Sequence, residues 1–127
     1  MTLITMIITM ALQAGIDPNL AMSVVKVESN YKVNAIGDAG EIGLFQIRPE
    51  YSKIRASELF VAKKNIKEGL RQLAYARDNC KHKVDNTWIV CYNRGIKGGA
   101  NTKSPKASKY YKDVMDVYMK TLMEASL

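Results

Sequence analysis

The sequence predicts a mainly α-helical protein. Apolar residues recur at helical spacing in most of the chain, capping residues stand where those periodic runs begin and end, and alternating strand patterns are nearly absent. At 127 residues, with 47% hydrophobic and 24% charged residues, the chain suits one globular domain over 1–127. That balance excludes an intrinsically disordered chain, and the lack of any internal repeat excludes a solenoid.

Residues 1–14 are apolar and Thr-rich, and Leu3, Ile4, Ile7, Ile8 and Ala11 follow helical spacing. They are expected to form a core helix that stops at Gly15, a residue suited to the left-handed cap position. The stretch is shorter than the ~20 apolar residues of a membrane span. It also lacks the basic start of a signal peptide, because the first positive side chain is Lys26. An atypical export signal is the minority alternative to a core helix; on the core-helix reading, delivery beyond the cytoplasm is expected to depend on another factor. Asp17 and Pro18 read as the cap and first residue of a second helix running to about Asn30, with Leu20, Val24 and Val27 on one line and Ala21 and Val25 beside it.

Gly37, Gly40 and Gly43 mark residues 33–43 as an irregular loop with room for a short hairpin. An apolar run, 43–47, is followed by Pro49, and 50–59 is open between helical and extended. Residues 61–79 are a helix, with Ile66, Leu70, Leu73 and Arg77 on one side and Gly69 and Ala76 allowing close packing. Another helix is expected over 85–92, capped by Asp85 or Asn86, then a Gly-rich basic loop over 95–105. The last helix, 106–122, carries Tyr110, Val114, Val117 and Tyr118 on one stripe.

The net charge of +7 is uneven. Residues 1–63 carry six basic and six acidic groups, whereas 64–127 carry thirteen basic and six acidic ones. A basic half implies an anionic partner such as nucleic acid, a membrane surface or an acidic wall polymer. Cys80, His82 and Cys91 are three metal-ligand types without a fourth, so no metal site is expected. His82 is read as a solvated loop residue. The two cysteines are left between a disulfide, in an oxidising compartment, and a buried free thiol at Cys91.

Glu28 does not fit its surroundings. On a helix it stacks over Val24 and Val25, so the core-facing stripe runs into a carboxylate. A carboxylate facing apolar groups has its pKa raised, and a glutamic acid kept protonated near neutrality can donate a proton to a leaving group.

The residues that follow form an ordered pattern: Glu28-Ser29-Asn30-Tyr31, the Gly-rich turn, Gly43-Leu44-Phe45-Gln46-Ile47 with Pro49, then Asn65-Ile66 with Gly69 and Leu73, Tyr92-Asn93-Arg94-Gly95, and a closing helix with Tyr110, Val114 and Tyr118. This resembles the lytic transglycosylases of the soluble-lytic-transglycosylase, goose-type lysozyme-like superfamily over about residues 16–118. Phe45 stands where the family often has Met, Cys91 where it often has Ala, Arg94 where it has a small residue, and Gly37-Asp38 where Ser-Pro is common.

The resemblance implies a lysozyme-like fold and action on peptidoglycan glycan strands, at the β-1,4 bond between N-acetylmuramic acid and N-acetylglucosamine. It makes Glu28 the sole catalytic acid and base. Ser29 would orient substrate or the catalytic carboxylate, and Gln46 would contact the sugar. Tyr92 and Asn93 would line the cleft, and Tyr110 would position Glu28. No cofactor, metal, nucleic acid or membrane span is implied, and the place of action is the bacterial cell wall, in the periplasm or envelope. Small size and the absent signal resemble phage-encoded, virion-carried or secretion-machine-associated members.

Two rivals remain. A goose-type lysozyme-like hydrolase, a muramidase, would need a second carboxylate to activate water, for which Asp38 and Glu41 are the candidates. A basic helical nucleic-acid-binding module would use Arg94, Lys97, Lys103, Lys106, Lys109 and Lys112 on phosphates, but leaves Glu28 and the Gly43–Gln46 motif unused.

Overall fold

A computed structural model describes residues 1–126; Leu127, the last residue of the expected domain, lies outside the described residues. The described residues contain five α-helices: α1 (Leu3–Gln13), α2 (Pro18–Ser29), α3 (Ala62–Asn79), α4 (Ile89–Ala100) and α5 (Lys109–Ala125). Short 3-10 turns cover Pro49–Tyr51, Ala56–Phe60, Val84–Asn86 and Pro105–Ala107. The mainly helical fold class is as expected. The chain divides into two compact units, Met1–Arg71 and Gln72–Leu127.

In the first unit α1 begins at Thr2, whose Oγ1 accepts the Thr5 N–H (3.1 Å), and ends before Gly15, which takes φ +70°. Helix α1 packs against α2. Its burial is narrower than its apolar sequence suggests: Ile7 and Ala11 are buried, whereas Ile4 and Leu12 are 41% and 63% exposed. A helix apolar on all sides still has only one side facing its neighbour, so the periodic pattern overstates its buried face. Asp17 caps α2 through Oδ1 to the Asn19 N–H (2.9 Å), with Pro18 at the first position. Leu20, Ala21, Val24 and Val25 are all at most 2% exposed. Burying a valine or leucine side chain stabilises by about 1.5–3 kcal/mol, so this face is the main hold on α2.

Between α2 and α3 the chain forms the expected irregular hairpin. Isolated bridges pair Ile36 with Ile42 and Ile42 with Ile47, and Ile42 and Ile47 exchange backbone hydrogen bonds of 2.9 and 3.0 Å. Leu44, Phe45 and Ile47 are buried.

In the second unit, α4 differs from expectation. Asp85 and Asn86 do not cap it; both have positive φ (52° and 61°) within a 3-10 turn, and α4 starts at Ile89. Short polar side chains tolerate the left-handed region, so this pair makes the turn itself. Residues 95–105 are not all loop either: α4 resumes after Gly95, whose φ +80° and ψ 166° break it into two segments. Helix α5 starts three residues later than expected, because Pro105–Ala107 forms a 3-10 turn and Ser108 supplies the cap. Its buried residues are Tyr111 and Val114, and α5 packs against α4.

Candidate active site

Glu28 and Ser29 form the last turn of α2. The helix ends there because Asn30 (φ 52°) and Tyr31 (φ 64°) are both left-handed. Asn30 still donates its N–H to the Lys26 carbonyl (3.0 Å), while Tyr31 folds its ring back to give its hydroxyl to the Met22 carbonyl (3.2 Å). Burial pushes the Tyr31 phenol up. Val24 and Val25, one turn before Glu28, are fully buried, and Glu28 is half-buried. The apolar stripe therefore does run into a carboxylate at the edge of solvent. Ser29 is buried, and its hydroxyl donates to the Val25 carbonyl (3.1 Å).

Gln46 lies in the hairpin with φ 50°. Its Nε2 donates to the carbonyls of Gly43 (3.0 Å) and Ala35 (3.3 Å), tying together two limbs of the loop. Gly37 permits the approach of Gln46 and Glu41: a Cβ there would stand 2.6 Å from Gln46 Oε1 and 2.9 Å from Glu41 Oε1. Glu41 Oε1 accepts the Ala39 N–H (2.8 Å) within its own turn, and Asp38 is exposed.

The hairpin is held to α3 by residues that periodicity does not single out. Asn65 is 1% exposed; its Oδ1 accepts the Phe45 N–H, and its Nδ2 donates to the carbonyls of Ile42 and Leu59, all at 2.9 Å. Gly43, at φ 77°, makes room for that amide, since a Cβ there would lie 2.3 Å from Asn65 Nδ2. Gly69 receives the Phe45 ring, which a Cβ would approach to 2.2 Å. Glu68, 4% exposed, was not among the sequence candidates. Its Oε2 accepts the Lys53 N–H (3.0 Å), and both oxygens take a two-pronged bond from Arg71 (2.7 Å each). That hydrogen-bonded carboxylate raises the Arg71 guanidinium pKa.

The remaining candidates lie in the second unit. Tyr92 and Asn93 stand in α4 just before the Gly95 break, Tyr92 half-buried and Asn93 exposed. Tyr110 is half-buried in the first turn of α5. Its neighbour Tyr111 is buried and donates its hydroxyl to the Asp85 carbonyl (2.8 Å). Cys80 and Cys91 are joined as a disulfide, which settles the alternative left open by their spacing and removes both thiols as metal ligands. His82 is not simply solvated: it is half-buried, and its Nε2 donates to the carbonyls of Gly99 (3.1 Å) and Thr102 (3.0 Å). Part of the basic patch is neutralised or tethered. Lys106 pairs with Asp85, Lys109 with Asp113, and Arg94 donates to Thr102 Oγ1.

Among the described residues there is no cluster of three or more His, Cys, Asp or Glu with metal-ligand geometry, and no helix long and apolar enough to cross a membrane. A family model described as the transglycosylase SLT domain matches residues 5–115. The chain belongs to the transglycosylase SLT-domain family. The match takes in α1 as well as the motifs from residue 16 onward, and it runs through both compact units. The fold is accordingly the lysozyme-like, all-α fold of SLT domains, and the family's activity is lytic transglycosylase action on peptidoglycan of the cell wall.

Proposed function

We propose that this SLT domain cleaves the β-1,4 bond between N-acetylmuramic acid and N-acetylglucosamine, leaving a 1,6-anhydromuramoyl end, with Glu28 as the single acid and base. The observation that carries the reading is the seat of Glu28: a half-buried carboxyl at the end of α2, one turn beyond two fully buried valines. Glu28 gives its proton to the glycosidic oxygen as the bond to the anomeric carbon breaks. The N-acetyl carbonyl of the same sugar stabilises the positive charge that develops there. Ionised Glu28 then takes the proton of the 6-hydroxyl, whose oxygen closes on the anomeric carbon. The proton lent at the first step is recovered at the second, and no water is consumed; substrate assistance of this kind is a known exception to the two-carboxylate scheme.

The one-acid route needs neither of the candidates for a second carboxylate. Glu41 accepts the Ala39 N–H through Oε1 within its own turn, and Asp38 stands exposed on the loop. In this reading Gln46 holds the hairpin through Nε2 and offers Oε1 to a sugar donor. Ser29 retains its lone pairs for substrate or for Glu28, and exposed Asn93 offers its amide. In the same reading the roles that the resemblance gives Tyr92 and Tyr110 carry over to the half-buried side chains at those positions. The two compact units together make one catalytic domain, a reading supported by a family match that spans both. The disulfide supports work in an oxidising compartment such as the cell envelope. We further propose that the chain reaches the wall with a virion or a secretion apparatus. Proteomics of purified particles tests this, and a processed export leader on the native protein would refute it.

Mass spectrometry of muropeptides released from purified peptidoglycan tests the chemistry. Products one water lighter than those of a muramidase are expected, with release reduced at least about a hundredfold in Glu28→Gln, the scale of a lost general acid. Ordinary reducing ends would establish the hydrolase instead and turn attention to Asp38 and Glu41.

A further inference from the structure

The second unit carries an open cavity of about 470 Å³ that none of the proposed catalytic or sugar-binding residues lines. We propose that it binds the free C-terminal carboxylate of a short, alanine-ended peptide branch, so that the domain grips the peptide as well as the sugar part of its polymer. The proposal rests on peptidoglycan being the substrate, but not on Glu28 or on the reaction's outcome.

The wall of the cavity combines two characters. Val84 and Pro105 supply apolar surface, and Val84 is 68% exposed, so that apolar group is left largely uncovered. Thr87 lines the cavity too, with its hydroxyl turned to the Val84 carbonyl (2.7 Å). The charge comes from Lys81, Lys83 and Lys106, and among the described residues no acidic one lines the cavity. Two of these cations have other work. Lys83 Nζ donates to the carbonyls of Arg77 (2.8 Å) and Asp78 (3.4 Å), and Lys106 pairs with Asp85 (2.6 Å). Among the described residues Lys81, which is exposed, makes neither a hydrogen bond nor an ion pair, so it is the charge left for a ligand.

The cavity is also built rigidly, which lowers the ordering cost of binding. The disulfide of Cys80 anchors the chain immediately before Lys81. His82 ties the next position to the Gly99 and Thr102 carbonyls, and the Tyr111 hydroxyl holds the Asp85 carbonyl.

A small aliphatic side chain joined to a carboxylate matches this combination. The methyl groups of an alanine-ended peptide meet Val84 and Pro105 while the carboxylate meets Lys81. A phosphodiester polymer brings charge but nothing for the apolar wall. Exposed lysines bind anions weakly, and a branch repeated along a polymer turns weak contacts into useful retention.

The test is an NMR titration of the full, oxidised chain, with N-acetyl-D-alanyl-D-alanine, its C-terminal amide and dimethyl phosphate as probes. The free acid is expected to shift the backbone signals of Lys81, Val84 and Thr87. The amide should bind at least about fivefold more weakly, and Lys81→Gln should weaken the acid by about two- to fivefold without lowering the melting temperature. Glu28→Gln should bind as the parent chain does, so a failure of the catalytic reading leaves this result intact. Equal binding of acid and amide would overturn the proposal. So would stronger binding of the phosphate, shifts confined to other residues, or no shifts with the acid.

Discussion

Replacing Asn65 by alanine tests how the hairpin that carries Gln46 is held. The side chain is 1% exposed and makes three hydrogen bonds of 2.9 Å, one to the N–H of Phe45 and two to the carbonyls of Ile42 and Leu59. Each bond is worth about 1 kcal/mol net, and a buried group left unsatisfied costs about 1–3 kcal/mol, so Asn65→Ala should destabilise by roughly 3–5 kcal/mol. For a chain of 127 residues, 1 kcal/mol moves the melting temperature by about 3–5 °C, so a fall of about 10–20 °C is expected. Urea denaturation and calorimetry measure both quantities. Asn65→Asp separates the hydrogen-bond account from simple space-filling, because it keeps the volume but turns a carboxylate oxygen towards two carbonyls. It should be at least as damaging as alanine. A loss under about 1 kcal/mol in Asn65→Ala, or tolerance of Asn65→Asp, would refute the reasoning.

Gly69→Ala should destabilise by about 1–3 kcal/mol by overpacking, less the small gain in helix propensity, because its Cβ would stand 2.2 Å from the buried Phe45 ring; chemical denaturation measures the difference. Bonds from Lys64, then from the Arg55 backbone and side chain, hold the Glu58 carboxyl down at about 2 from its ordinary 4.5. Its contribution is therefore complete above about pH 4.5 and is lost as the pH falls towards 2, so the parent chain should lose more stability across that window than Glu58→Gln; equal loss in pH-dependent melts would contradict the pairing. Reducing the Cys80–Cys91 bond, whose partners are 11 residues apart, should lower stability by about 2–3 kcal/mol; an unchanged urea midpoint in reductant would count against it.

The amino-acid sequence by itself determined the helical class, the entry and exit of α2, the extent of α3 to within a residue, and the carboxylate that interrupts an apolar stripe. These are legible because helical periodicity and capping act between residues a few positions apart: Asp17 bonds Asn19, and Glu28 stacks over Val24. The family motifs were legible for the same reason, as ordered local blocks.

Only the tertiary structure decided which residues hold those blocks in place. Asn65 and Glu68 lie on a helix of ordinary polar composition, and nothing local distinguishes a buried clamp from a solvated side chain; their partners Phe45 and Lys53 are 20 and 15 residues away. Gln46 reads as a sugar contact from its motif, but its amide nitrogen is bound by a carbonyl 11 residues earlier. Burial of Ile7 rather than Ile4, the pairing of Cys80 with Cys91, and the tether from His82 to Gly99 also depend on what the folded chain places opposite each residue. Such partners are chosen by packing and by the cost of leaving buried polar groups unpaired, and both exist only once distant segments meet.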